Sequence, residues 1–392
     1  MQIILTVNYS PWSAYSGGGQ RSTHNLAKTF ARKGHKVTVI FSKVLWENID
    51  VPDNLPYKIK WANLYNTHSK RNDIFRPLSS YSVAKIAGTI ISDEQDTIIH
   101  SNGEEGGQIH TLFDHHAFGF ISTSRYSYYP PALGRYKEMN MLRKAAFLAK
   151  EGKYVYQARA IRHAHYCSPP SRWAADKIQS LLELNNEKMQ PVHNGVPEEF
   201  LKFHRKKKAL NGPIIFFGRF AHDKGVDTLI EALSQIKKKK LPNIHIIGRG
   251  DWEEKLKKMV EKLSLGDKVI FKDWMSHDEL GKELSKAKMT VLPSRDENFS
   301  LAILSALCVG SPTISTTVGG TPEIISDEET GLLVPPSNPD ALATAIKFLL
   351  DNPEKREHIA KKGADHVRQN LTWNDSCANF EKLYKRSLKI QS

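Results

Sequence analysis

Cysteine is scarce: Cys167, Cys308 and Cys377 are the three in a chain of 392 residues. No two of them stand in a C-x-x-C pair, which excludes a disulfide framework and argues against a structural zinc site. No apolar run approaches the roughly 18 residues of a membrane span. The opening MQIILTVNYS has no basic stretch ahead of its short apolar run, so it does not read as a secretory signal. The expected compartment is the cytoplasm, with the inner face of the cell membrane as a further location. Tandem repeats and low-complexity segments are missing, which excludes a fibrous or solenoid chain. With hydrophobic residues at 40% and charged residues at 25%, the chain is neither disordered nor a multi-span membrane protein.

An excess of acidic residues is also lacking. Lys and Arg number 56 against 42 Asp and Glu, a net charge of +14. Residues 1–200 and 201–392 share that excess equally, so it is no basic tail. Such a charge suits polyanionic partners: phosphorylated substrates, an anionic membrane surface or nucleic acid. No aromatic-basic RNA motif or helix-turn-helix pattern accompanies it, and a nucleic-acid partner is not expected.

What is present is alternation. QIILTV (2–7) predicts a strand, 20–33 an amphipathic helix ended by Gly34, and VTVIF the next strand. Strands follow at 96–100 and 119–123, with a helix from AADKIQSLLEL. The series restarts at 212–218. Strands are expected at 243–248, 268–271, 289–293 and 312–316, and helices at 226–238, 251–263, 277–287, 300–309, 322–326 and 339–351. Repeated βαβ units imply parallel sheets and two doubly wound α/β domains. The Pro-, Lys- and Gly-rich stretch 196–213 is the linker candidate, and TWNDSCANFEKLYKRSLK reads as one C-terminal amphipathic helix. Residues 126–159 combine tyrosines, a Pro-Pro pair and bases. They read as a surface helix over the sheet, or as an acceptor or membrane-surface element.

The chemistry concentrates at strand ends of the second half. Gly218-Arg219 closes one strand, with Asp223-Lys224-Gly225 before the next helix. Arg219 and Lys224 together could converge on a diphosphate. Gly248-Arg249-Gly250 closes the next strand. Pro293 to Ser300 runs from a strand end into a helix start, where the backbone N–H groups of Asn298 to Leu301 suit an anion. Val318-Gly319-Gly320-Thr321-Pro322 repeats the device.

In GRFAHDKGVDTLIEAL (218–233), IIGRGD (246–251), VLPSRDENFSLAILSALCVGSPTIST (291–316), VGGTPEIISDEETGLLVPP (318–336), HNGV (193–196) and GHKVTVI (34–40), the chain resembles the retaining GT-B-fold glycosyltransferases, the large family that includes sucrose synthases and bacterial lipopolysaccharide, capsule and phosphoinositol-mannoside transferases. The resemblance implies an α/β GT-B fold of two Rossmann-like domains facing across a cleft: an acceptor domain over 1–198, a donor domain over 199–370, and a C-terminal helix, 371–392, crossing back. It implies a nucleotide-sugar donor, UDP-linked for preference, as co-substrate, with no further cofactor and no metal. The acceptor implied is a glycan, lipopolysaccharide or lipid-linked intermediate. Arg219 and Lys224 would grip the diphosphate, and Glu297, first glutamate of the family's E-x7-E motif, would bind sugar hydroxyls. Asn298, Phe299, Ser300 and Leu301 would meet sugar and phosphates, Gly218, Gly248 and Arg249 would line the donor, and Gly17, Gly18 and Gly19 would approach it from the first domain.

Two positions depart from the family. Its second glutamate falls at Ser305, whose hydroxyl cannot offer ribose two carboxylate oxygens. Its Thr-x-His falls at Thr123-Ser124-Arg125, and Arg125 cannot act as a base. Arg125 would contact an acidic acceptor or the donor phosphate, and His100 matches another family position near the cleft. His110, Asp114, His115 and His116 resemble a metal pattern but read as the polar face of a helix. These departures keep open a GT-B protein that binds nucleotide sugar or glycan without transfer; a nucleotide-sugar epimerase is a weaker alternative.

Overall fold

The structure is a computed structural model that describes residues 1–13, 16–65, 75–91, 96–112, 118–124 and 130–390. It divides into two compact units, Met1–His193 with Trp373–Ser392, and Asn194–Thr372.

In the N-terminal unit, β1 (Gln2–Asn8), α1 (Gly18–Arg32), β2 (Lys36–Lys43), β3 (Lys58–Asn63), α2 (Arg76–Gly88), β4 (Thr97–Ser101), α3 (Ile109–Leu112), β5 (Gly119–Ser122), α4 (Met141–His163), β6 (Tyr166–Cys167) and α5 (Arg172–Leu182) follow in order. The strands form one parallel sheet in the order β3-β2-β1-β4-β5-β6. Every residue of β1 and β4 is buried, so these strands read as continuous apolar runs, as in a sheet covered on both faces. The chain starts at the middle, works outward to β3, then returns to lay β4 on the other flank of β1. The loops leaving β1 and β4 therefore diverge, and a crevice opens between them at the carboxyl edge.

The C-terminal unit repeats this plan with β7 (Ile214–Phe217), α6 (Val226–Ser234), β8 (Ile244–Ile247), α7 (Glu253–Lys262), β9 (Val269–Lys272), α8 (His277–Leu284), β10 (Met289–Leu292), α9 (Leu301–Val309), β11 (Thr313–Thr316), β12 (Leu332–Val334), α10 (Pro339–Asp351) and α11 (Pro353–Asn370). Its parallel order is β12-β11-β10-β7-β8-β9, which puts the reversal between β7 and β10. Local signals set the helix starts. Ser276 and Glu279 form a capping box ahead of α8, and Asn338 caps α10 with Pro339 at its first position. Helix α9 (LAILSALCV) is apolar on every side and is buried from Ile303 to Val309.

Some expectations change. Residues 196–213 are not a free linker: they form short 3-10 turns at Glu198–Phe200 and Lys207–Asn211, and Val196 and Phe200 enter the C-terminal core. Arg368 fastens this stretch by donating to the carbonyls of Leu201 and Phe203 at 3.0 and 2.7 Å. Helix α6 stops at Ser234 rather than 238, and the expected helix at 322–326 is a 3-10 turn, Thr321–Glu323. Strands β3 and β12 and helices α2 and α11 had not been expected. The basic helix of 126–159 is α4, which kinks at Glu151. Among the described residues no helix is long and apolar enough to cross a membrane.

The last helix, α12 (Trp373–Lys389), belongs to the N-terminal unit. It is amphipathic, and Phe380, Leu383 and Tyr384 are buried. The Tyr384 hydroxyl lies 2.7 Å from His100 Nδ1 in the core, and Glu381 takes Lys33 and His35, both at 3.0 Å. Tyr384→Phe removes a buried donor and is expected to destabilise the protein by about 1–3 kcal/mol. A urea midpoint unchanged from the parent would show that this bond contributes nothing.

Candidate functional site

The order β11-β10-β7-β8 sets four strand-end loops side by side at the carboxyl edge of the C-terminal sheet. Two glycines allow their close approach. Gly248 has φ +146°, and a Cβ there would overlap the Gly218 carbonyl oxygen of the neighbouring loop. Gly319 has φ +56°, and a Cβ there would overlap the Glu297 carbonyl. Backbone bonds complete the set: Phe220 N–H donates to Arg249 O at 3.0 Å, Arg295 N–H to Asp223 O at 2.8 Å, and Gly320 N–H to Asn298 O at 3.1 Å.

At the β7/β10 reversal Lys224 Nζ meets Glu297 Oε1 at 2.8 Å, and the Ser294 hydroxyl donates to the same oxygen at 3.1 Å. Asp223 lies 3.4 Å from Lys224 and 3.3 Å from Arg219. Burial works against the Lys224 ammonium, but the charge and hydrogen bond of Glu297, with Asp223 beyond, outweigh it, and the pKa of Lys224 rises above its ordinary value. Lys224 is therefore a fixed, largely enclosed cation. Arg219 is its exposed counterpart, with 68% of its side chain open to solvent. Arg249 is exposed on the next loop, and Asn298 is half-buried. Ser300 caps α9, while Phe299 and Ser300 are buried and Leu301 is half-buried at the helix start. This edge thus offers cations and helix N–H groups on one side and a carboxylate on the other, a set that can hold an anion beside a hydroxylated group.

Arg295, not singled out from the sequence, holds the arrangement together. Its guanidinium pairs with both Asp227 carboxylate oxygens at 2.8 and 3.0 Å and donates to the His222 carbonyl, Thr228 Oγ1 and Ser337 Oγ. The loop after β10 is so bolted to the first turn of α6 and to the turn before it. The signal was available: an arginine and an aspartate each sit beside a quoted motif at strand ends that the fold makes adjacent.

Two expected site residues are buried. Ser305 is buried within α9, and its hydroxyl donates to the Leu301 carbonyl at 2.8 Å. The hydroxyl proton is engaged by the helix backbone, so what Ser305 can still offer a ribose is an acceptor oxygen and not a donor. His100 is buried, with no exposed surface. Thr123 Oγ1 donates to the Ser168 carbonyl at 2.9 Å, so it accepts from His100 Nε2 at 2.7 Å, while Nδ1 lies 2.7 Å from the Tyr384 hydroxyl. His100 is thus a core histidine, enclosed between Thr123 and Tyr384. Arg125 lies outside the described residues, as do Asp114, His115 and His116. His110 stacks on His163 with ring centroids 4.4 Å apart. Among the described residues no three His, Cys, Asp or Glu side chains gather to hold a metal ion.

In the N-terminal unit Gly17 precedes α1, and Gly18 and Gly19 open it at the end of β1. Gln20 bridges this start: its carboxamide accepts from Gly17 N–H at 2.9 Å and donates to the Asn8 carbonyl at 2.7 Å.

Residues 198–366 match the family of glycosyl transferases group 1, and residues 16–200 match glycosyltransferase family 4. The chain belongs to the group 1 glycosyltransferases. This glycosyltransferase is 27% identical over 259 residues to an uncharacterized glycosyltransferase of Methanocaldococcus jannaschii, spanning 61% of this chain and 66%, just under two thirds, of that relative. Its fold is similar to sucrose-phosphate synthase from Thermosynechococcus elongatus, with a TM-score of 0.80 at 21% identity over 100% of both chains. It is also similar to Anabaena HepE in complex with UDP, with a TM-score of 0.73 at 16% identity over 98% of this chain and 100% of that one. These likenesses establish the GT-B type of fold for the two sheets.

Arg295→Ala leaves Asp227 without its partner and frees the loop after β10. The expected cost is about 3 kcal/mol in chemical unfolding, because a largely enclosed ion pair is broken on one side only. A loss below about 0.5 kcal/mol, the range of an exposed pair, would remove Arg295 from this role.

Proposed function

We propose that this glycosyltransferase moves a sugar from a nucleoside-diphosphate sugar, with UDP as the nucleotide, to a glycan or lipid-linked acceptor, with retention of configuration and without a metal ion. The observation that carries the reading is the Lys224–Glu297 pair at the sheet reversal, with exposed Arg219 on the same loop as Lys224. The donor diphosphate would take Lys224 and Arg219, and sugar hydroxyls would replace the ammonium at Glu297. The two cations then stabilise charge that grows on the diphosphate as the bond between its oxygen and the sugar carbon breaks. The acceptor oxygen forms the new bond to that carbon from the same face, and its proton passes to the departing diphosphate. This course needs no protein base, which agrees with the enclosure of His100. Two positive charges and a helix start do the work that a metal would otherwise do for the phosphates. HepE, a protein similar in fold, was solved with UDP, which favours that nucleotide. The net charge of +14 suits an anionic acceptor such as a phosphorylated lipid or lipopolysaccharide.

One observation favours a second reading, a protein that binds a nucleotide sugar without transfer: the Ser305 hydroxyl is held by the Leu301 carbonyl and brings no carboxylate to a ribose. Release of UDP from a UDP-sugar in the absence of acceptor would decide for transfer.

Calorimetric titration with UDP, GDP and ADP, with and without EDTA, tests the donor site. UDP is expected to bind, EDTA to change nothing, and Arg219→Ala or Lys224→Ala to weaken binding by about 10- to 100-fold, the loss of a charge-assisted bond. Failure of all three nucleotides to bind would overturn the reading. Ser305→Ala is expected to leave UDP affinity within about twofold, since its hydroxyl is already engaged. A loss beyond about fivefold would put Ser305 on the ligand.

A further inference from the structure

The N-terminal unit has its own sheet reversal, between β1 and β4, and two consecutive carboxylates sit there. Glu104 and Glu105 lie on the 3-10 turn Glu104–Gln108 that follows β4. Glu104 is 7% exposed and Glu105 2%. Their surroundings differ. Glu104 Oε1 receives Arg76 at 2.6 Å and the Asn8 carboxamide at 2.7 Å. Among the described residues Glu105 has no cation in contact. Its Oε1 receives the Thr6 hydroxyl at 3.0 Å, with Ser101 Oγ at 3.3 Å. Ser101 has one proton, and the Gly103 carbonyl, at 2.9 Å, is the nearer acceptor. Glu105 Oε2 is buried with no hydrogen-bond partner and lies against Gly103, where a Cβ would come within 2.5 Å of it.

We infer that Glu104 and Glu105 share a single negative charge, with the proton on Glu105, and that loss of this proton unlocks the turn after β4 at the reversal of the N-terminal sheet. One arginine can balance one carboxylate, and Arg76 is committed to Glu104. An ionised Glu105 would stand buried, without a cation, beside a like charge. Burial first, and then the Glu104 charge, push the Glu105 carboxyl up to about 8. The elements packed on this turn offer no other compensation. Arg76 on α2 faces Glu104, while Tyr81 and Lys85 of that helix are exposed. On α4, Tyr156 meets Gln108 and Arg159 donates to Thr111. His110 on α3 stacks on His163, His100 on β4 turns to Tyr384, and β1 brings no titratable group. Glu105 acts here as a positioning residue. Thr6 ties it to β1, Ser80 donates to its carbonyl at 2.9 Å, and Asn8, bonded to Glu104, holds Gln20 at the glycine start of α1.

The sign follows from linkage. An opened turn lets Glu105 ionise near its ordinary 4.5, whereas the closed turn keeps the proton to about 8. The closed form has its full advantage below pH 4.5 and loses it as pH rises through about 8. Over that window opening grows by up to ~10-fold per pH unit, then levels off.

Hydrogen exchange of the whole protein tests this, with peptides covering 97–112 followed from about pH 5 to about pH 9 and corrected for intrinsic exchange. The parent should open increasingly up to about pH 8 and then level off. Glu105→Gln, which imitates the protonated acid, should show no such rise. Glu104→Gln should bring the levelling to lower pH, and peptides of the other unit serve as controls. A flat parent, or an equal rise in Glu105→Gln, overturns the inference. Should Glu105→Gln not fold, the infrared band of a protonated carboxyl in the parent decides: present at about pH 6 and lost near pH 8 upholds the inference, absent at about pH 6 overturns it.

Discussion

The bidentate pair between Arg295 and Asp227 is the contact on which the C-terminal site depends. The β7/β10 reversal sends two loops apart, and a crevice made this way has no continuous backbone bonding across it. Arg295 joins the two sides, its backbone N–H donating to the Asp223 carbonyl and its side chain reaching Asp227, Thr228 and the His222 carbonyl. With that distance held, Lys224 and Glu297 can meet at 2.8 Å although 73 residues separate them. The charges around the site differ in exposure: Lys224 is largely enclosed beside Glu297, while Arg219 stands open to solvent.

The N-terminal unit uses the same topology with opposite chemistry. Its reversal gathers carboxylates rather than cations, and only Glu104 is paid with an arginine. The relay from Arg76 through Glu104 and Asn8 to Gln20 ends on Gly17, so the cap that Gln20 makes at the start of α1 is tied to a buried charge. A strand order that repeats in both halves thus gathers cations at one edge and carboxylates at the other, and side chains alone make the difference.

Both sheets were legible from the sequence because parallel strands buried on two faces, such as QIILTVN and MTVL, are short apolar runs between helical periods. The glycine-bearing strand ends were legible for a related reason, since loops that must touch need residues without a Cβ. Less regular elements were not. KIKWAN (β3) carries polar residues at the sheet edge, and LLV (β12) is too short to stand out. The stretch 196–213 looked like a linker because it is basic and Pro-bearing, yet Val196, Phe200 and the Arg368 bonds attach it to a core. His100 looked like a site residue because it ends a strand. The aromatic residues that enclose it come from α12, nearly 300 positions away along the chain.

Composition and local pattern by themselves determined the class of fold, the two-fold repetition of βαβ units, and the cations and glycines at the strand ends. These are properties of short segments, set by periodicity and by steric demand at single residues. Only the tertiary structure decided which charges face each other. Pairing Lys224 with Glu297, spending the Ser305 hydroxyl on its own helix, closing His100 between Tyr384 and Thr123, and leaving Glu105 without a cation all depend on contacts between distant segments, and desolvation in the packed interior sets what each of those groups can do.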